Sequence, residues 1–344
     1  IDDPSAYFQI ALYTGNAGFN TITNDGNSDL APDLIWGKCR STTKTHYLYD
    51  SSRGTEKRLE CDNTGVEDSS TNGVLNFYTD GFRLASGNTE NDNGETFVAW
   101  QWKANAGTVT TVAESGNNPG FTRQTNTAAG FSIIAYTGTG AAGTIAHGLP
   151  STPELIIFKS RSAISDWDTY HVSIGNGNRM ELHNEAVASA DTTFMNNTLP
   201  TSSNITVGTS ANTNTNNGTY ICYAWSPVQG YSKFGQYDAN ASTNGPFIYT
   251  GFKPAWVLIK CYTGANDSWA LLDSARNPTN GQDERLFPDL TNAASTSQVI
   301  MDSLSNGFKL RTADSAYNSG RTYLYMAFAE NPFVTSTGVP ATAR

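Results

Sequence analysis

The chain has 344 residues, of which 38% are hydrophobic and 15% charged, and its formal net charge is −10. That acidity disfavours binding to a phosphate backbone, no apolar run is long enough to cross a bilayer as a helix, and an aromatic content of 11% argues against disorder. Thr, Tyr, Phe and Val favour strands while abundant Asn and Gly favour turns, so the composition predicts an all-β protein with many polar loops.

In chain order, the first predicted strand covers 8–13 and is turned by Thr14 and Gly15. Pro32 opens a buried-looking strand that ends on Lys38; proline suits a strand's first residue, where no ladder donor is lost. A third strand covers 46–50, a short fourth 58–59 and a fifth 81–84. A polar turn around Gly94 then leads to a sixth, 97–102, and the pair reads as a β-hairpin. The same order is predicted over 131–136, 153–159, 167–171, 179–180, 204–207 and 220–225. It is predicted again over 234–237, 254–260, 269–273, 285–286, 307–310 and 323–328.

The spacing is regular. Phe8 to Phe97, Phe131 to Tyr220 and Phe234 to Tyr323 share one separation, and Phe82, Ile205 and Phe308 sit at a second common offset. Self-similarity at a fixed offset is the mark of a repeat architecture. The expected fold is all-β: three tandem copies of a small antiparallel β-sandwich of about six strands each, with little helix. Repeat 1 covers 1–104, a linker arm plus repeat 2 covers 105–229, and repeat 3 with an extended C-terminal tail covers 230–344. The arm, around 104–129, reads as a linker or an added hairpin, with one stray strand over 108–113. Trp102, Trp225 and Phe328 share one position and are expected core anchors. Short helical turns are expected near 185–190 and 288–295. Ile1 opens almost directly onto the first strand with no start Met, which suggests a processed product or a fragment.

There are four cysteines. Cys39 and Cys261 follow Lys38 and Lys260 at one position of two units, and Ser160 stands there in the middle unit. Equivalent positions of separate units are not expected within disulfide reach. Free, mostly buried thiols are therefore expected, and they point to assembly in a reducing cytoplasm.

Several blocks carry a resemblance. They are the opening Ile1-Asp-Asp-Pro-Ser-Ala-Tyr-Phe8, the run Glu95-Thr-Phe-Val-Ala-Trp-Gln-Trp-Lys103, Gly230-Tyr-Ser-Lys-Phe-Gly235, Gly251-Phe-Lys-Pro-Ala255, Tyr325-Met-Ala-Phe-Ala-Glu-Asn-Pro-Phe333 and the closing 335–344. Together they resemble a family of repeat proteins of tailed bacteriophages, especially marine ones, over essentially the whole chain. The resemblance implies a virion- or tail-associated protein, assembled in the host cytoplasm and exposed on the particle outside the cell. Some members carry a further β-sandwich module before these repeats. The family brings no defined catalytic residues.

The most regular polar feature is Asp50 with Arg53 in the first unit and Asp273 with Arg276 in the third. In the middle unit both charges vanish together, as His171 and Ile174. Loss of both partners fits a structural pair, because an orphaned buried charge is costly; a carboxylate and guanidinium holding a polar ligand is the other reading. Lys38, Lys159 and Lys260 end the second strand of each unit and read as snorkelling edge lysines. Asp25, Asn27 and Asp29 alternate as in the first half of a calcium loop, but the later Glu is missing, so they form a weak calcium candidate beside an ordinary turn. Tyr262, Trp269 and Tyr317 lie near loops and are candidates for stacking on sugar rings, with core or rim packing as the alternative.

His46, His147, His171 and His183 lack zinc-site spacing, and no nucleophile elbow or phosphate-cradling loop is present. No catalytic residue and no cofactor are assigned. Paired carboxylates for glycan cleavage meet only in a fold. The expected function is therefore a non-enzymatic virion structural protein: a tail fibre, spike or other adhesive surface component. Its expected partners are neighbouring virion proteins, further copies of itself and a host-surface glycan, and not nucleic acid. A homo-oligomer is expected, with three the usual order in fibres by analogy. The alternatives are a carbohydrate-binding module or a filament subunit of bacterial origin, and behind these a polysaccharide hydrolase.

Overall fold

A computed structural model describes residues 1–69, 71–87, 89–264 and 266–341. The protein is all-β, with antiparallel pairing throughout. The first third of the chain forms β1 (Phe8–Thr14), β2 (Asn20–Ile22), β3 (Leu34–Cys39), β4 (Tyr47–Asp50), β5 (Lys57–Arg58), β6 (Asp68–Ser69), β7 (Val74–Phe77), β8 (Phe82–Leu84) and β9 (Thr96–Trp102). The middle forms β10 (Thr110–Val112), β11 (Phe121–Asn126), β12 (Phe131–Thr137), β13 (Gly143–Ala146), β14 (Leu155–Ser160), β15 (Trp167–His171), β16 (Asn178–Glu181), β17 (Ser189–Ala190), β18 (Asn204–Val207) and β19 (Thr219–Trp225). The last third forms β20 (Ser232–Asp238), β21 (Phe247–Tyr249), β22 (Phe252–Cys261), β23 (Ala270–Asp273), β24 (Met301–Leu304), β25 (Gly307–Leu310) and β26 (Thr322–Pro332).

One strand order occurs in each third: β1-β9-β3-β4, β12-β19-β14-β15 and β20-β26-β22-β23. A small second layer lies on each main sheet, built from β2-β8-β7, β13-β18 and β21-β25-β24. We refer to each main sheet with its small partner as a unit.

Both faces of each main sheet are buried, which explains why β3, β14 and β22 are continuous apolar runs and not alternating ones. Alternate residues serve different cores. On β9, Ala99 joins a core private to the first unit, whereas Val98, Trp100 and Trp102 enter a common one. On β19, Cys222 faces a private core and Tyr223 and Trp225 the common one. On β26, Tyr325 and Met326 divide in the same way. The common core therefore joins all three units, with Trp102 at its middle. Its ring lies 6.2 Å from Trp225, 5.6 Å from Phe328 and 4.9 Å from Phe8, centroid to centroid. Trp102, Trp225 and Phe328 are buried there together.

Of the two readings of the segment around 104–129, linker or added hairpin, the structure shows the hairpin: β10 pairs with β11, and β11 pairs along β12, covering that edge. Elsewhere the fold departs from the sequence reading. No helix forms over 185–190 or 288–295; among the described residues the helical turns are Pro4–Ala6, Val172–Ile174 and Ala211–Asn214. The third start is also two residues out of step. Phe8 and Phe131 lie opposite Trp102 and Trp225, but Ser232 lies opposite Phe328 and Phe234 opposite Met326. A two-residue slip preserves the face of a strand, so Phe234 still enters the common core.

Candidate functional site

The polar groups with the most ordered chemistry lie on the seams between units. Lys38, Lys159 and Lys260 are buried, not snorkelling. The Lys38 ammonium donates to Lys44 O (2.6 Å) and to Thr291 O of the third unit (2.9 Å). Lys159 donates to Ser165 O (2.7 Å) and to Thr64 O of the first unit (3.0 Å). Lys260 donates to Asp267 O (2.6 Å) and to Glu185 O of the second unit (2.8 Å). Burial pulls each of them down to about 8; the carbonyls, which only accept, favour the protonated form. These bonds also explain the missing helices. The carbonyls of Glu185 and Thr291 are taken by ammonium groups of other units, not by amides one turn on.

These lysine bonds run first unit onto third, second onto first and third onto second. His46 Nε2 donates to Phe287 O (2.9 Å), Trp167 Nε1 to Glu60 O (2.9 Å) and Trp269 Nε1 to Glu181 O (3.0 Å). At the rim, Arg40 forms a two-pronged pair with Glu284 (2.8 and 2.9 Å), and Arg161 does the same with Glu67 (2.8 and 2.9 Å). Such forked pairs are geometrically specific.

The predicted Asp–Arg pairs belong to the same seams. Arg53 Nε lies 2.5 Å from Asp50 Oδ2, and Arg276 Nε lies 2.6 Å from Asp273 Oδ2, all four side chains fully buried. Each carboxylate also accepts a hydrogen bond from another unit: Asp50 from the Tyr223 hydroxyl (2.7 Å) and Asp273 from Trp100 Nε1 (2.9 Å). In the second unit, His171 takes the place of the aspartate. Its Nδ1 accepts from Ser173 N (3.1 Å) and its Nε2 donates to Tyr325 O (3.2 Å).

Two of the three sugar-stacking candidates are not at the surface. Trp269 and Tyr317 are each 1% exposed. Trp269 is spent on the seam, and the Tyr317 carbonyl accepts the Tyr237 hydroxyl (2.7 Å), as Glu90 O does for Tyr13 (2.8 Å) and Thr213 O for Tyr136 (2.5 Å). Tyr262 is half-buried against the common core, in the place that Arg40 and Arg161 hold in the other units, and its hydroxyl donates to Gln236 Oε1 (2.7 Å). Proximity to a loop says nothing about which way a ring points.

Asp25, Asn27 and Asp29 are exposed on a loop fastened by protein groups. Gly26 N donates to Gln9 Oε1 (2.9 Å), and Ser28 Oγ donates to Asp3 Oδ2 (2.6 Å). Among the described residues, neither Asp25 nor Asp29 belongs to a group of three His, Cys or acidic side chains at metal-binding distances. One such group exists elsewhere, Asp166, Glu181 and His183, whose ligand atoms lie within 4.8 Å of one another. It is already organised around a cation: Arg179 Nη1 lies 2.5 Å from Asp168 and from Glu181 and 3.4 Å from Asp166. Burial, opposed by Arg179, pushes Asp168 up to about 7. His183 Nε2 lies 3.5 Å from Asp166 and 3.4 Å from the Asn184 amide nitrogen, and its Nδ1 accepts from Trp167 N (3.4 Å). Asp62 and Asp289 do the same for His46 N and Trp269 N, at 3.1 Å each. This cluster is therefore a structural cap.

The four cysteines are free and buried. No described helix is long and apolar enough to cross a membrane. Outward-facing aromatics that the sequence reading missed lie on β21, where Phe247 and Tyr249 are 45% and 54% exposed. A period-two comparison of the units marks them. Ile248 lies opposite Phe308 as Ile22 lies opposite Phe82 and Ile145 opposite Ile205. The flanking residues are Thr21 and Thr23 in the first unit and Thr144 and Ala146 in the second.

Nothing among curated proteins or among solved structures matches the chain. Residues 3–332 match a family described as a domain of unknown function, DUF7483, and the chain belongs to that family.

Proposed function

We propose that the chain is a non-enzymatic structural component of a tailed-bacteriophage particle, three copies of one β module presenting an adhesive surface. Its partners are neighbouring virion proteins, further copies of the chain and a host-surface glycan. The observation that carries this reading is the destination of the buried ionisable groups. Lys38, Lys159, Lys260, Asp50, Asp273, His46 and His171 each bond to another unit. Perturbed groups point to catalysis when they converge in a cleft; these hold the scaffold shut. The whole-chain resemblance to phage repeat proteins supports the virion setting. Four buried free thiols fit assembly in a reducing host cytoplasm.

Mass spectrometry and immunogold labelling of purified particles test the reading. The expected result is a fixed copy number at one place on the particle. Absence from particles, together with sugar release from host polysaccharide that one carboxylate substitution abolishes, would replace it with a hydrolase.

A further inference from the structure

We infer that the outer face of β21 is a glycan-binding strip, with Phe247 and Tyr249 as its stacking rings and an uncharged, hydroxyl-rich polysaccharide chain as its ligand. The inference rests on the adhesive reading above and assigns that adhesion to one place. Phe247 and Tyr249 alternate along the strand with buried Ile248, so both rings leave the same face of the small sheet, about 7 Å apart. That spacing suits consecutive sugar rings, whose apolar C–H faces lie against aromatic rings while their hydroxyls seek polar partners. At this place the other two units carry Thr21 with Thr23 and Thr144 with Ala146. The scaffold therefore does not require rings here, and their presence in one unit marks an addition to it.

Tyr249 also borders a groove of about 440 Å³ that runs to Asp2, Gln229, Ser336 and Phe333. The groove thus offers a ring surface together with the Gln229 amide, beside an Asp2 carboxylate and a Ser336 hydroxyl that are bonded to each other. That mixture suits an amphipathic sugar better than an apolar protein segment. Its floor is left low by Gly251, where an added Cβ would stand 3.5 Å from the Tyr249 hydroxyl and φ is +85°. Charge around the strip is balanced. The Lys233 ammonium sits 5.1 Å from the Tyr249 ring centroid and donates to Tyr249 O at 2.8 Å. Lys309, opposite Phe247, and Arg311 flank Asp302, which is paired with Arg311, while Glu154 acts on Lys233 and Asp2 lines the groove, so three cations meet three carboxylates. With no excess of either sign, the strip selects by stacking and hydroxyl contacts, so the ligand is an uncharged glycan.

Affinity electrophoresis of the full chain through gels containing hydroxyethylcellulose, laminarin or galactomannan tests this, with polygalacturonate as the charged comparison. At least one neutral glycan should retard the protein. Tyr249→Ala and Phe247→Ala should each weaken that retardation about tenfold, the loss of one stacked ring. Thr21→Ala and Thr144→Ala should leave it unchanged. Unaltered melting temperatures of the two ring variants establish that they are folded. Four outcomes each overturn the strip: no retardation by any neutral glycan, equal retardation of wild type and ring variants, salt-sensitive retardation by polygalacturonate alone, or self-association that Tyr249→Ala abolishes. Labelling of particles separates this from the reading beneath it, because a chain present on the particle but blind to glycans loses the strip and keeps the structural role.

Discussion

The Tyr223 hydroxyl, on the last strand of the second unit, lies 2.7 Å from Asp50 Oδ2 in the first, and Trp100 Nε1 of the first lies 2.9 Å from Asp273 Oδ2 in the third. Where the last strand carries Met326, which has no proton to give, the aspartate and arginine are replaced by His171 and Ile174, and the imidazole reaches the Tyr325 carbonyl instead. Acceptor and donor change together. Tyr223→Phe should therefore cost roughly 1.5–3 kcal/mol, the range for a hydrogen bond to a charged group. A urea-unfolding cycle of Tyr223→Phe with Asp50→Asn should show coupling above about 0.5 kcal/mol. Strict additivity would mean that the contact contributes nothing.

The seam lysines make a second prediction. Replacing Lys159 with Met removes the donor shared by Ser165 O and Thr64 O and leaves two carbonyls without it. A loss of roughly 3 kcal/mol is expected, with Lys38→Met and Lys260→Met within a factor of about two to three of it, the usual effect of context. A change under about 0.5 kcal/mol, typical of ordinary surface substitutions, would contradict the buried three-way arrangement.

A third prediction concerns acid. Burial lowers His171 to about 4, so between pH 4 and its unfolded value of about 6.5 the unfolded chain takes up a proton that the native ring refuses. Its contribution is complete above that upper value and is lost as pH falls toward 4, at about 1.4 kcal/mol per pH unit. Asp168, raised to about 7, acts in the opposite sense over much of the same window, so the informative quantity is a difference. The gap in unfolding free energy between wild type and His171→Gln should shrink as pH falls from 6.5 to 4. A gap independent of pH would mean that His171 is not buried as a neutral ring.

Because the largest core is common to all three units, unfolding should be one event. Calorimetry should show a single transition. Trp102→Ala should lower it for the whole chain, at a cost of roughly 3–5 kcal/mol. Three resolved transitions, with only one shifted by Trp102→Ala, would show that each unit holds itself together.

Much of this fold is legible in the sequence, and the reason is local. Pro32 and Pro153 stand two residues before β3 and β14, although Pro254 lies inside β22 at a bulge, polar turns mark hairpins, and Phe82, Ile205 and Phe308 take equivalent places opposite Ile22, Ile145 and Ile248. The Asp50–Arg53 and Asp273–Arg276 pairs are readable because both partners lie within one turn. The seams are not. Lys159 meets Thr64, 95 residues away, through a backbone carbonyl that every residue type possesses. The slip at Ser232 and Phe234 was hidden because both residues face the same way, so a separation count picks the aromatic one. Trp269 and Tyr317 misled for the converse reason: a ring beside a loop carries no sign of its direction. Phe247 and Tyr249 were within reach, since they stand where the other two units have Thr21 with Thr23 and Thr144 with Ala146.

The head-to-tail circuit of seam bonds has a consequence for how such a chain can change in length. An open solenoid accepts another unit at either end and needs caps to finish it. Here Trp100 of the first unit already engages Asp273 of the third, so no unit is terminal and a fourth would have to break the closure before joining. Growth is confined to excursions from the ring, and the β10–β11 hairpin, which lengthens one sheet without touching the order of the circuit, is the form that such growth takes.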